Sequence, residues 1–369
     1  MSASVERAAA RGFREHYGRE PAWVSVAPGR VNLIGEHTDY TGGFAMPFAI
    51  GRAVAIAADR ASASGLTRAA TARDGSAASI DLAADPLPRT GDWSDYLRGV
   101  IQGHRDAGID PGALDLYVHS DLPSGAGLSS SAALEVATAL IVEAAAAVTH
   151  DPERTIRLCR QAEHDYAGVP CGHLDQFAVV MARHGACLLF DARALQATPV
   201  PFALPETELL LLDSGVRHAL GDSEYPRRRA ECEAAEQALG CSLRDATAAA
   251  VDRLLARDSL LGRRARHIVS ENTRVLAMRD ALERADSKAA GALLYAGHAS
   301  LAQDFEISAA EIDWLVQRCR DDAHGGDVYG IDVSLAPVPW GDKGEQTLAI
   351  STVSSDGSVA LWTFQLPST

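Results

Sequence analysis

Ala27-Pro28-Gly29-Arg30-Val31-Asn32-Leu33-Ile34-Gly35-Glu36-His37-Thr38-Asp39-Tyr40 is the stretch on which the reading of this chain turns. Between Arg30 and Tyr40 it sets an Arg, an Asn, a Glu, a His, an Asp and a Tyr among apolar residues. A core strand has no use for so many polar groups. A site gripping a polyhydroxylated ligand does, because each buried hydroxyl needs a partner. On composition alone, a polar turn between two strands is the alternative.

A second stretch, Pro123-Ser124-Gly125-Ala126-Gly127-Leu128-Ser129-Ser130-Ser131-Ala132-Ala133, is a glycine-rich turn ending in hydroxyls where a long Ala-rich helix begins. Glycines let the backbone approach a ligand, and the unpaired N–H groups of a helix start suit phosphate. Ser131 could offer its hydroxyl to Mg²⁺. A Ser-capped helix after a flexible turn is the plainer reading. The GxxxxGK[ST] loop and its Lys are absent.

The third stretch runs from Glu163 to Phe177 and includes Cys171-Gly172-His173-Leu174-Asp175-Gln176. A carboxylate at Glu163 could complete a Mg²⁺ shell. Asp175 precedes an apolar run, where a carboxylate is costly unless paired. Arg30 is the candidate partner. Ser223-Glu224-Tyr225-Pro226 reads by itself as a capped, charged helix start.

The 369 residues suffice for two domains. A net charge of −15 argues against nucleic acid or an anionic membrane as partner. The N-terminus reads as an amphipathic helix and not as a secretory signal. The six cysteines show no CxxC pair, as expected of reduced thiols in the cytoplasm. Strands are expected at 23–27, 44–58, 113–119, 186–190 and 208–213. Helices are expected from about 132, at 152–167, 224–239, 260–285, 287–303 and 309–321. Pro199, Pro201 and Pro205 suggest a break between domains.

The opening stretch resembles the galactokinase signature of the GHMP small-molecule kinases, and the glycine-serine loop resembles the phosphate loop of that wider group. Asp92–Val100, Asp213–His218 and His267–Asn272 also look like galactokinase segments, so the resemblance covers about residues 5 to 330. It implies an α+β fold of two domains. The first, residues 1–195, is an α/β domain with a left-handed βαβ crossover that binds sugar and ATP. A ferredoxin-like domain at 196–330 follows, with the site between them. By position, Arg30 resembles the family's transition-state Arg and Asp175 its catalytic Asp. Glu36, His37, Thr38, Asp39 and Tyr225 resemble sugar-binding residues. Gly125, Ala126, Gly127, Leu128, Ser129, Ser130 and Ser131 resemble the ATP loop, and Ser131 with Glu163 the Mg²⁺ pair. The implied reaction is phosphorylation of galactose at its anomeric hydroxyl by ATP, in a cytoplasmic monomer. An N-acetylgalactosamine kinase and a non-catalytic galactose sensor are the alternatives.

The chain departs from this family near its end. Galactokinases carry a further glycine-rich segment there, whereas Val328-Tyr329-Gly330 is followed by Ile331-Asp332-Val333-Ser334-Leu335-Ala336-Pro337-Val338-Pro339-Trp340. Two prolines remove two backbone donors. Residues 331–369 are therefore expected to be an atypical tail, and a loss of activity is its expected cost. Ser354–Trp362 faintly resembles a WD-repeat strand pair around an Asp-Gly turn.

Overall fold

The computed structural model describes residues 2–62, 65–123, 127–169, 171–204, 224–322, 347–353 and 359–365. In chain order the strands are β1 (Trp23–Asn32), β2 (Phe44–Ala45), β3 (Pro47–Arg60), β4 (Leu66–Thr71), β5 (Ala77–Asp81), β6 (Leu114–Ser120), β7 (Ala186–Asp191), β8 (Gln196–Pro201), β9 (Thr347–Val353) and β10 (Val359–Gln365). The helices are α1 (Ser2–Tyr17), α2 (Ser94–Asp106), α3 (Ser130–Ala146), α4 (Pro152–Ala162), α5 (Leu174–Val180), α6 (Glu224–Leu239), α7 (Ala248–Arg257), α8 (Ser259–Glu283), α9 (Ser287–Ser300) and α10 (Ala310–Asp322). The chain groups into two compact units, 1–31 with 47–123 and 128–184, and 32–46 with 124–127 and 185–369.

The first unit is built on a five-stranded sheet of order β1-β3-β6-β4-β5. β3 and β6 pair antiparallel, with Val54 opposite Ser120 and Arg60 opposite Leu114. β4 and β6 run parallel and are joined through β5 and α2. The apolar run at 53–58 is explained by cover on both sheet faces. Ala55 and Ala57 meet Val5, Ala9 and Phe13 of α1. Val54, Ile56 and Ala58 point the other way, into a core with Leu97, Val136 and Ile141 of α2 and α3. A Cβ at Gly99 would fall 2.7 Å from Ala162 Cβ, so glycine is what lets α2 approach α4 there.

In the second unit the sheet order is β2-β7-β8, and helices α6 to α10 supply most of the described residues. Asp258 starts α8 by accepting from Leu260 N and Leu261 N at 3.0 Å each, and Thr247 and Asp286 cap α7 and α9 in the same way. Arg264 of α8 is wholly buried. It donates to Glu231 (2.6 Å), to the Asp304 carbonyl (2.6 Å) and to Glu306 (2.7 Å), binding α6, α8 and the turn after α9 together.

Several local expectations are revised. The strand expected at 23–27 continues to Asn32, so the first half of the opening signature is strand. Helix α4 ends at Ala162, and Glu163–Ala167 form a π-helical turn. Pro199 and Pro201, read as a break, lie in β8 opposite Leu188 and Ala186. β8 is an edge strand of its sheet, where missing N–H groups are tolerated. β4, β5, α2 and α7 were not expected as elements. The first two are short and poor in β-branched residues, and α2 lies in a segment noted only for its resemblance. β9 and β10 form an antiparallel hairpin, Val353 opposite Val359. The strand expected at 208–213, the segments 213–218 and 328–330, and residues 331–346 lie outside the described residues.

Arg264→Ala would remove the buried guanidinium that joins Glu231, the Asp304 carbonyl and Glu306, leaving Arg228 as the buried partner of Glu231. It should lower the free energy of unfolding by about 3–5 kcal/mol, read from urea denaturation.

Candidate active site

Asp175 opens α5, and its carboxylate is held from two sides. Arg30, on β1, donates to Oδ1 from Nε (2.9 Å) and from Nη2 (2.6 Å). The Ser129 hydroxyl donates to Oδ2 at 2.5 Å. The expected Arg30–Asp175 pair is therefore formed. The Asp175 side chain keeps 26% of its surface exposed, so it faces an accessible space and does not enter the core.

The loop before α3 is brought to Arg30 by the backbone. Arg30 N donates to the Leu128 carbonyl at 3.1 Å. A Cβ on Gly29 would lie 2.4 Å from the Leu122 side chain and 2.9 Å from that carbonyl, so the approach requires glycine. Ser129 precedes α3 in the left-handed region (φ 53°, ψ 48°) and makes no side-chain cap. Its hydroxyl is spent on Asp175 instead. The reading of a Ser-capped helix fails at this residue, and the strained conformation marks a position held by its surroundings. Gly125 and Ala126 lie outside the described residues.

Behind Asp175 lie two buried carboxyls. Glu163, the first residue of the π turn, accepts from Gln176 Nε2 (2.7 Å) and Cys171 Sγ (3.2 Å). Burial raises its pKa, and the charge of Asp175 adds to the rise. Glu135 of α3 is fully buried, with Gln176 Nε2 at 3.1 Å and its Oε1 unsatisfied. Burial and then Glu163 push its pKa well up. Glu135 and Gln176 were not singled out from the sequence. Glu135 stands four residues after Ser131 on one helix face, and that spacing was the available signal.

The second half of the signature is a turn in the second unit. The Thr38 hydroxyl is fully buried and faces the carbonyls of Gly35 (2.8 Å) and Phe44 (2.6 Å). Asp39 opens a 3₁₀ turn, Asp39–Thr41. His37 has a left-handed backbone (φ 62°), and its Nδ1 lies 3.0 Å from the Tyr40 hydroxyl. Its ring packs against Tyr225 (5.6 Å between centroids) and Phe305 (4.9 Å). Burial, followed by the neighbouring His267 and Arg228, pulls the His37 pKa down to about 3. The ring is thus neutral at physiological pH. Tyr225, unremarkable in sequence, is brought to His37 by α6.

Helix α8 braces this turn. Glu271 accepts from Gly35 N at 2.8 Å, Asn272 from Phe44 N at 2.7 Å, and His267 Nε2 lies 3.2 Å from the Glu36 carbonyl. Asn32 Nδ2 donates to the Glu36 carboxylate at 3.1 Å. A Cβ on Gly35 would lie 2.6 Å from Ala45 Cα. These bracing roles of His267, Glu271 and Asn272 were not read from the sequence, because they depend on residues more than 200 positions away.

Two outcomes follow. Glu135 and Glu163 keep protons in the folded state above the ordinary carboxyl value of 4.5, where an unfolded chain has lost them. Their contribution to stability is therefore present at low pH and lost as pH rises through the raised values. In metal-free protein, Glu135→Gln should flatten this fall by about 1.4 kcal/mol per unit of the raised pKa, seen in denaturation curves from acid to neutral pH. Glu271→Ala leaves the buried Gly35 N–H unpaired and should cost about 1–3 kcal/mol in the same measurement.

Comparison with known proteins shows the family. Residues 11–60 match the galactokinase galactose-binding signature, and residues 95–183 match the GHMP kinases N terminal domain. A galactokinase of Streptomyces coelicolor is 41% identical over 324 residues, 86% of this chain and 83% of that protein. A galactokinase of Canis lupus familiaris is 40% identical over 321 residues, 84% of this chain and 80% of that protein. The crystal structure of Lactococcus lactis galactokinase complexed with galactose superposes with a TM-score of 0.79 at 29% identity, covering 85% of this chain and 84% of that one. Relatives this similar over this much of the sequence show that the chain belongs to the galactokinase family of the GHMP kinases, with that group's α+β fold.

Proposed function

We propose that the chain transfers the γ-phosphoryl group of ATP to the anomeric hydroxyl of galactose. Asp175 takes or orients the hydroxyl proton, and Arg30 holds Asp175 in place while offsetting charge that develops during transfer. The observation that carries this reading is the Asp175 carboxylate fixed by Arg30 on one oxygen and Ser129 on the other, while still partly exposed. A base locked in one orientation supplies the positioning on which phosphoryl transfer depends. The family relationship supports galactose and ATP as substrates.

In this reading the ATP phosphates lie along Gly125, Ala126, Gly127, Leu128, Ser129, Ser130 and Ser131, at the N-terminus of α3. The absence of a Ser129 side-chain cap favours that use of the helix start. Ser131 and Glu163 would hold Mg²⁺. The fit is supported by the hard oxygen donors of the two side chains and by a buried carboxyl that burial and a like charge disfavour as an anion, so that a cation would stabilise it. When bound, Mg²⁺ supplies charge neutralisation and orientation for the phosphates.

Glu36, His37, Asp39 and Tyr225 contact the sugar. A neutral His37, its Nδ1 beside the Tyr40 hydroxyl, keeps Nε2 to donate to or accept from a sugar hydroxyl. Thr38, its hydroxyl committed to two carbonyls, shapes the turn and does not touch the ligand. The six free thiols support a reducing, cytoplasmic setting. Among the described residues no helix is long and apolar enough to cross a membrane.

Asp175→Ala should lower galactose-dependent ADP release by at least about 10³-fold. Galactose affinity by calorimetry should stay within about tenfold, or roughly 1.4 kcal/mol. Turnover near that of the parent would remove Asp175 from the mechanism. A panel of hexoses in the same assay distinguishes galactose from N-acetylgalactosamine, and the parent rate reports what the atypical tail costs.

A further inference from the structure

His104, Glu143 and His150 meet where α2 and α3 end and the chain turns toward α4, and the reaction described above uses none of them. The His104 side chain is fully buried, and those of His150 and Glu143 are 4% and 7% exposed. One ligand atom from each lies within 4.8 Å of the other two. The imidazole rings are stacked, 5.1 Å between centroids and 9° apart.

Three of the four ring nitrogens have no hydrogen-bond partner: His104 Nε2, His150 Nδ1 and His150 Nε2. The fourth, His104 Nδ1, lies 2.8 Å from the Val100 carbonyl. A carbonyl only accepts, so Nδ1 carries the proton and, in the neutral ring, Nε2 presents a lone pair. Burial favours that neutral form by lowering the His104 pKa. Glu143 Oε1, itself an acceptor, lies 4.0 Å from His104 Nε2. His150 Nδ1 is 3.5 Å from the same oxygen, too far for a good hydrogen bond. Acceptors facing one another across such a gap in a buried place call for a cation between them.

The surroundings are those of a built site. Thr155 Oγ1 donates to Glu143 Oε1 at 3.3 Å, and His150 N donates to Oε2 at 3.2 Å. The Val100 carbonyl fixes the His104 tautomer that a metal requires. Ligand atoms about 2.0–2.1 Å from a tetrahedral ion stand roughly 3.3 Å apart, so from spacings of up to 4.8 Å the triad closes onto one ion when its side chains approach by up to about 1.5 Å and the stacked rings turn to aim both lone pairs at it.

We propose that His104, Glu143 and His150 bind one divalent transition-metal ion of the zinc type, which clamps the ends of α2 and α3 to the turn before α4. Two imidazoles and one carboxylate suit Zn²⁺ and disfavour Mg²⁺, which prefers an all-oxygen shell. Water completes the coordination. The ion's role is structural.

The test uses the full chain, stripped with EDTA and passed into metal-free buffer. Titration with Co²⁺ should give the visible absorption of a four- or five-coordinate ion. Calorimetry should show one equivalent of Zn²⁺ bound, and excess Zn²⁺ should raise Tm by at least about 3 °C. Mg²⁺ should do none of these. His150→Gln should weaken Zn²⁺ binding at least about 100-fold while leaving the far-ultraviolet circular dichroism of the metal-free protein unchanged. Absence of the Co²⁺ band in the folded parent protein overturns the proposal, whatever the variant does. Equal Zn²⁺ affinity in parent and His150→Gln overturns it too, since the ion would then belong to other groups such as the exposed thiol of Cys241.

Discussion

Asp175 faces two donors that it cannot leave without stranding charge. Arg30 and Ser129 reach it from β1 and from the residue just before α3, so one carboxylate joins a strand, a loop and the start of α5. The surrounding backbone is arranged to allow this. Gly29 admits the loop to the strand, and Ser129 takes a left-handed conformation that puts its hydroxyl on Asp175 and away from its own helix. A residue that gives up its cap for a side-chain contact forgoes about 1 kcal/mol of helix stability. In the proposed reaction, the return is a carboxylate that has little reorganisation left to do when a hydroxyl arrives.

The neighbouring acids show the opposite treatment. Glu135 and Glu163 are buried, share Gln176, and are pushed toward protonation by burial, with Glu163 adding to the rise of Glu135 and Asp175 to that of Glu163. Asp175 is partly exposed and paired with a guanidinium. Acids close together in one unit are thus given different environments.

The signature also divides its labour. Arg30 lies on a strand of the first unit, whereas Glu36 to Tyr40 form a turn in the second. Within that turn, Thr38 and Gly35 serve the backbone, and the ring of His37 packs with Tyr225 and Phe305. Helix α8 supplies Glu271, Asn272 and His267 to backbone groups of the turn, so the shape of a short polar stretch is set by residues from a distant part of the chain.

The polar density of residues 30–40, the glycine-serine loop and the acids at 163 and 175 were legible from order and spacing alone. So was the Arg30–Asp175 pair, because a carboxylate before an apolar run needs a cation. A continuous apolar run located β3, alternating apolar residues located β6, and long amphipathic or Ala-rich runs located most helices. The prolines of β8 misled, because tolerance of a missing N–H depends on lying at a sheet edge, which no local pattern records. Glu135 passed as an interruption in an apolar helix, and Tyr225 as part of a helix start. Their surroundings come from elements far along the chain, and burial, ring packing and tautomer choice exist only after those elements have packed. Side-chain chemistry and local periodicity were thus determined by the sequence. Which acids are buried, which hydroxyls are already engaged, and which histidines face one another were decided by the tertiary structure, because each is a property of neighbours that the chain brings together only by folding.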